Sequence, residues 1–281
     1  MRTPKKNNVD SSSRLAILGA GNIGVSIAKG LVGAGRHSPE QIIITRRRVH
    51  LLDALAQQGF IVQADNRDAV RRAKIVIIAV RPQQLVDLLH EIRPDLIPDK
   101  HVIISIVSGV SINEIVKHSG KDICVVRAMP NLAIEIQESM TCLATNQVTK
   151  EALDLAKSLF DSLGKTLVIN EELMIPATAL CACGIAFFLR SIRAASQGGI
   201  EIGFHSAEAL VMAAQTAKGA ASLLLSSKSH PEGEIDRVTT PKGCTIAGLN
   251  EMEHRGFSSA MIMGIITSAE KAARLFENDS K

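Results

Sequence analysis

Short apolar runs rich in Ile and Val punctuate the first half of the chain, and stretches with apolar positions three or four apart lie between them. Runs of this kind fit strands buried on both faces, and the longer periodic stretches fit helices packed against them. The runs fall at 14–18, 41–45, 60–62, 74–80, 101–107, 122–127, 140–144 and 166–169. Strand and helix in alternation over residues 14–170 predict a mostly parallel sheet built from right-handed crossovers. One helix start is explicit in Ser111-Ile-Asn-Glu114, with a hydroxyl at the cap and a carboxylate three residues on. Sheets of this type bind ligands at the carboxyl ends of their strands, which here carry Val80-Arg81-Pro82, Ser108-Gly109 and Met129-Pro130-Asn131.

From Glu171 the texture turns helical and dense in Ala, Gly, Leu and Met, so 171–281 is read as a second, all-helical domain. Stretches 185–198, 206–226 and 258–276 are each long enough for three or more turns. Small residues crowd the middle one (Ala213, Ala214, Ala217, Gly219, Ala220, Ala221), as suits close helix–helix contact. With few aromatic residues to fill a core, much of this half is expected to be buried against another subunit.

The first strand runs directly into Gly19-Ala20-Gly21-Asn22-Ile23-Gly24. In that setting the first glycine permits a tight turn, the second lets backbone approach a pyrophosphate, and the third lets helix pack on strand. The helix expected over 22–34 then aims its positive end at the phosphates. After the second strand, where an NAD site carries an acidic residue, this chain has Thr45-Arg46-Arg47-Arg48. A hydroxyl and a guanidinium there favour a 2′-phosphate, hence NADPH over NADH. Thr45 and Arg46 are assigned to it, because three successive side chains do not all face one phosphate.

A second anion site is expected far downstream, in Thr240-Pro241-Lys242-Gly243-Cys244-Thr245. This turn leads straight into an apolar helical pattern, so its free N–H groups can face an anion while Thr245 adds a hydroxyl.

At 281 residues the chain has room for two domains. Its net charge of +4 is spread out and it contains no Tyr or Trp, which gives nucleic acid neither a basic stripe nor a stacking platform. No uninterrupted apolar run reaches membrane-spanning length, so no membrane contact is expected. The five cysteines form no C-x-x-C pair and do not group with histidines at zinc spacing, so no metal is expected. Residues 1–13 read as a polar, disordered leader, and a cytoplasmic location is expected.

These motifs together resemble the pyrroline-5-carboxylate reductases over nearly all of 14–275. Besides the glycine fingerprint, the resemblance rests on Ala79-Val80-Arg81-Pro82-Gln83, Met129-Pro130-Asn131, Gln215-Thr216, His230-Pro231, the Thr240–Thr245 loop with Ile246-Ala247-Gly248-Leu249, and Glu251-Met-Glu-His-Arg-Gly256-Phe257. Three departures stand out. Lys242 replaces a loop glycine, Ile185 replaces a proline in Ala182-Cys183-Gly184-Ile185-Ala186-Phe187, and Leu132-Ala133 replaces Thr-Pro.

The resemblance implies reduction of Δ1-pyrroline-5-carboxylate to L-proline with NADPH, and NADH more weakly. It implies an N-terminal Rossmann-type domain followed by a helical dimerisation domain, with dimers that assemble further in some members. It places Asn66 near the adenosine and Ala79, Val80, Arg81 and Pro82, with Ser108 and Gly109, along the nicotinamide side. Backbone N–H groups of Lys242, Gly243, Cys244 and Thr245 are expected to hold the substrate carboxylate, and Thr245 to hydrogen-bond the imine nitrogen. Two alternatives stay open. One is a β-hydroxyacid-dehydrogenase-like reductase, for which Lys218-Gly219 is the candidate lysine; the other is a non-catalytic NADPH-binding protein with a decayed pocket.

Overall fold

The computed structural model describes residues 14–145, 150–227 and 229–275. The leader expected over 1–13 lies outside them. Two compact units are present, one made of residues up to Ala182 with those from Ser268 on, the other of Cys183–Thr267.

All eight expected strands form, and they join one sheet: β1 (Leu15–Leu18), β2 (Ile42–Thr45), β3 (Ile61–Gln63), β4 (Ile75–Ile78), β5 (Val102–Ser105), β6 (Cys124–Met129), β7 (Ser139–Ala144) and β8 (Gly164–Val168). Their order across the sheet is 3-2-1-4-5-6-7-8. Every pairing is parallel except β6 with β7. The connection between these two is a short 3-10 turn at Leu132–Ile136, too little chain for the crossover that a parallel pair requires.

Helices α1 (Asn22–Gly33), α2 (Asp53–Gln57), α3 (Asn66–Arg72), α4 (Leu85–Ile92), α5 (Ile112–Ser119), α6 (Lys150–Asp161) and α7 (Met174–Ala177) belong to the first unit. Both faces of the central strands are covered. Leu15, Ile17, Ile42 and Ile44 face one apolar layer with Ile27, Leu31 and Phe160. Ala16, Leu18, Ile43 and Val76 face the other with Leu85, Leu89, Ile92 and Ile115. Each fully buried Leu, Ile or Phe side chain contributes about 1.5–3 kcal/mol. This is why the strands read as unbroken apolar runs rather than alternating ones. The α1 helix is tied to the turn between β6 and β7 by Ser26 Oγ and Lys29 Nζ, which both donate to the Glu135 carboxylate, at 3.0 and 3.1 Å. These two contacts hold that carboxyl below its usual range.

The texture change at Glu171 and the packing boundary do not coincide. Met174 and Ala177 complete a small apolar cluster with Met129, Cys142 and Ala144 of the sheet, so the helical run stays with the first unit for about a dozen residues.

In the second unit lie α8 (Gly184–Glu201), α9 (Ser206–Ser227), α10 (Pro231–Val238) and α11 (Cys244–His254). The last helix, α12 (Phe257–Ala273), begins there. The first two pack closely enough that a Cβ on Gly199 would lie 3.0 Å from Ala209 Cβ. Two helical stretches, Glu171–Glu201 and Ser206–Ser227, are long and apolar enough to cross a membrane by length and composition. Neither is an uninterrupted apolar run, since Arg190 and Arg193 fall in the first and Glu208 and Lys218 in the second. Phe188, Leu189, Val211, Ile262 and Met263 all lie exposed on this unit.

Candidate active site

In the first unit the carboxyl ends of β1, β2 and β4 surround a cavity of about 480 Å³, within the usual size range of small-molecule sites. Its floor is the β1–α1 turn. Gly19 has φ of +104°, and a Cβ there would sit 2.6 Å from the Ala79 carbonyl oxygen. A Cβ on Gly24 would sit 2.4 Å from the Gly19 oxygen, so this residue lets α1 lie against its own strand. A Cβ on Gly21 would meet nothing within 4 Å and project into open space. Gly21 is the N-cap of α1, and no side chain caps that helix. The first-turn N–H groups are therefore available to an anion, as a dinucleotide pyrophosphate requires.

Gly19, Ala20, Gly21, Thr45, Arg46, Asn66, Val80 and Arg81 all line the cavity, as the sequence suggested. Asn22, Ile23, Gly24, Ala79, Pro82, Ser108 and Gly109 do not. Ala79 instead backs the Gly19 turn, and Ser108 and Gly109 follow the end of β5, the strand beside β4.

Thr45 lines the cavity with its hydroxyl already engaged. Its side chain is buried, and its hydroxyl donates to Asn66 Oδ1 at 2.6 Å. The Asn66 amide in turn donates to both oxygens of Glu91, at 3.1 and 3.2 Å. The hydrogen expected to serve a 2′-phosphate is thus committed to Asn66, which leaves donation to the arginines. Arg47 and Arg48, set aside in the sequence, line the cavity beside Arg46. Among the described residues none of the three has an ion-pair partner. The sequence reading also missed the wall supplied by α4 and the turn before it. Gln84, Asp87, Leu88 and Glu91 line it, and their spacing of three, four and seven marks one helix face.

The Met129-Pro130-Asn131 turn is held by its asparagine. The Asn131 side chain accepts from the Ala133 backbone N–H at 3.0 Å and donates to the Cys181 carbonyl at 3.4 Å. A proline at position 133 has no hydrogen to offer the first of these bonds, so Leu132-Ala133 supports this turn by a route that Thr-Pro lacks. Cys181 lies in a π-helical turn, Thr178–Cys183, directly before the stretch that lacks the family's proline. The Cys142 thiol donates to Cys181, which lowers the Cys181 pKa to about 7 and raises that of Cys142.

In the second unit, α11 begins where the sequence placed it. The N-cap is Gly243, with extended backbone and no side-chain cap on the helix, so Thr245 is the second helical residue and not the cap. Gly243 N–H closes the preceding turn on Thr240 O at 2.9 Å. Lys242 adopts φ of +60°, a left-handed conformation that costs a non-glycine residue about 1–2 kcal/mol. Replacing Lys242 with Gly relieves that strain, less about 0.5–1 kcal/mol of added backbone entropy. The variant is expected to be as stable as the wild type or slightly more so by denaturant titration. If the ammonium assists substrate binding, KM for the substrate rises at the same time.

Residues 171–275 match the family described as pyrroline-5-carboxylate reductase dimerisation, and residues 14–109 match NADP oxidoreductase, coenzyme F420-dependent. The chain is 54% identical over 274 residues to pyrroline-5-carboxylate reductase 1 of Dictyostelium discoideum, covering 93% of this chain and 50% of that protein. It thus spans about half the length of that relative. It is 48% identical over 288 residues to pyrroline-5-carboxylate reductase 2 of the same organism, covering 97% and 95%. A crystal structure of the Plasmodium falciparum pyrroline carboxylate reductase with NADP bound shares the fold, with TM-score 0.85, 22% identity and coverage of 95% and 99%. The Coxiella burnetii pyrroline-5-carboxylate reductase superposes with TM-score 0.83 at 27% identity, covering 94% and 98%.

Proposed function

The chain belongs to the pyrroline-5-carboxylate reductase family, and from that premise we propose that its two anion-binding features divide the reduction of Δ1-pyrroline-5-carboxylate to L-proline between them. It is an NAD(P)H-dependent oxidoreductase of proline biosynthesis. The observation that carries the reading is the glycine floor of the cavity, where Gly21 alone of the three fingerprint glycines opens onto free space beneath an uncapped helix.

Bound NADPH supplies the hydride that reduces the C=N bond. In the first unit, the turn from Gly19 through Gly24 holds the pyrophosphate on backbone N–H groups, and Arg46 pairs with the 2′-phosphate while Arg47 and Arg48 add positive charge to the same wall. Thr45 and Glu91 fix the rotamer of Asn66 on the adenosine side. Ala79, Val80, Arg81 and Pro82, with Ser108 and Gly109, form the nicotinamide side. In the second unit, the loop from Lys242 to Thr245 holds the substrate carboxylate at the positive end of α11. The Thr245 hydroxyl hydrogen-bonds the imine nitrogen. As a hydroxyl is a poor acid on its own, the nitrogen's proton comes from the protonated imine or from water. Placement and electrostatics are the protein's share of the work.

The helical half is a subunit interface by its match to the dimerisation family, and its exposed apolar side chains are the surface a second copy covers. Dimers that assemble further, and a cytoplasmic location, complete the proposal.

Changing Arg46 to Asp is expected to lower kcat/KM for NADPH relative to NADH by at least about tenfold, the loss of about 1.4 kcal/mol of charge-assisted contact. Paired assays with the two cofactors check it. An unchanged ratio assigns the 2′-phosphate to Arg47 and Arg48 instead.

A further inference from the structure

We infer that Arg127 and Glu171 form a clasp that fixes the loop after β5, making them positioning residues for the nicotinamide end of the cofactor; the inference rests on the reading of the cavity as an NADPH site.

Arg127 lies in the middle of β6, in register with Ser105 of β5, and is only 4% exposed. Its sequence neighbours Val125, Val126 and Ala128 are fully buried and apolar. Packing alone gives no reason for a guanidinium in that row, since burying a charge is costly unless it is paired. The charge is paired once, by Arg127 Nη1 donating to Glu171 Oε1 at 3.2 Å. Among the described residues its Nε and Nη2 have no hydrogen-bond partner. Burial pulls the Arg127 pKa below its ordinary value, while the Glu171 carboxylate opposes that fall.

The same Glu171 oxygen accepts from the Ile112 backbone N–H at 2.6 Å. Ile112 is the first residue of α5, so the carboxylate sits where the helix dipole favours an anion. Immediately upstream lie Ser108 and Gly109. Their loop is held at its other points by lesser contacts. Ser105 Oγ accepts from Val107 N–H at 3.3 Å, and Ser111 Oγ accepts from Glu114 N–H at 3.1 Å. The Ser108 hydroxyl is turned back toward Met129 Sδ, 3.9 Å away, on the strand that carries Arg127. Gly109 takes φ of +79°. Glu171 is itself anchored, because three residues later Met174 is fully buried against Met129 and Cys142. The clasp therefore ties three segments together: β6, the start of α5 and the chain leaving β8.

The proposed 2′-phosphate and pyrophosphate contacts lie at the ends of β1 and β2, away from this clasp, whereas Ser108 and Gly109 follow β5, the strand beside β4. Loosening the clasp is thus expected to affect the nicotinamide end of the ligand and spare the adenosine end. The test measures dissociation constants of NADPH and of adenosine 2′,5′-bisphosphate, which keeps the 2′-phosphate but lacks the nicotinamide. The variants are Glu171→Gln, Arg127→Met and Arg127→Lys. The first two are expected to weaken NADPH by about tenfold and to leave the bisphosphate within about twofold of wild type. Arg127→Lys is expected to recover part of the loss. Equal weakening of both ligands, or no change in either, would overturn the clasp as a positioning device and leave it a purely structural ion pair. Glu171→Gln is isosteric and carries the test alone if Arg127→Met does not fold. Wild-type protein that binds neither ligand would overturn the cofactor reading itself.

Discussion

Gly24→Ala is expected to destabilise the first unit by about 1–3 kcal/mol and to take the cofactor site with it. The added methyl would lie 2.4 Å from the Gly19 carbonyl oxygen and 3.3 Å from Ile17 Cγ2. No flexible side-chain end is available to yield, because the first of these atoms is backbone. Relief requires α1 to lift from β1, which moves the helix N-terminus away from the phosphates. Gly21→Ala is the informative control. Its methyl meets no protein atom within 4 Å, so the fold is expected to keep its melting temperature while NADPH affinity falls by at least about tenfold. Thermal denaturation with NADPH titration separates the two. If Gly21→Ala proved as destabilised as Gly24→Ala, the division of roles among the three glycines would be wrong.

The second large effect is expected at Thr245. Thr245→Ala should lower kcat by about a hundredfold or more, the range for loss of one positioned hydrogen bond at the reacting centre, with little change in KM for NADPH. Because Gly243 is the N-cap of α11 and Thr245 lies two residues inside, the substitution removes no helix cap. A fall in turnover then reports on the reaction and not on a frayed helix, which circular dichroism confirms if helical content is unchanged. Thr245→Ser, which keeps the hydroxyl, is expected to restore most of the rate. Wild-type turnover in Thr245→Ala removes this residue from the mechanism.

Much of the fold was legible because buried parallel strands announce themselves as unbroken apolar runs. Residues such as Ile42, Ile43 and Ile44 have no polar face to disguise them. The glycine fingerprint was legible for a related reason, since Gly19 and Gly24 each answer a steric demand that a larger residue does not meet, while Gly21 leaves space open above the turn. Contacts made at a distance were not. Nothing in the neighbourhood of Thr45 reveals that its hydroxyl donates to Asn66, 21 positions away. Glu91 was missed although it spaces correctly with Asp87 and Gln84, because an exposed carboxylate on a helix face reads as solvated surface.

The reading of Ser111-Ile-Asn-Glu114 was half right. Ser111 caps the helix, but the Glu114 carboxylate turns to His118 at 2.9 Å, a partner one turn along. The strained Lys242 was foreseeable only through the resemblance, which marks that position as a glycine. The boundary at Glu171 followed composition, while packing keeps the next residues with the sheet because Met174 joins Met129, Cys142 and Ala144 in one buried apolar cluster.

For this chain we propose reduction of a cyclic imine, with the glycine-floored cavity as the cofactor site and the Lys242–Thr245 loop as the carboxylate site. The most direct test follows NADPH absorbance with purified protein and Δ1-pyrroline-5-carboxylate, with NADH and a keto acid run in parallel. Rapid, saturable loss of NADPH is expected with the pyrroline, slower reaction with NADH, and none with the keto acid. NADPH that binds but is not consumed with the pyrroline would contradict it and mark the loop around Lys242 as a decayed substrate pocket.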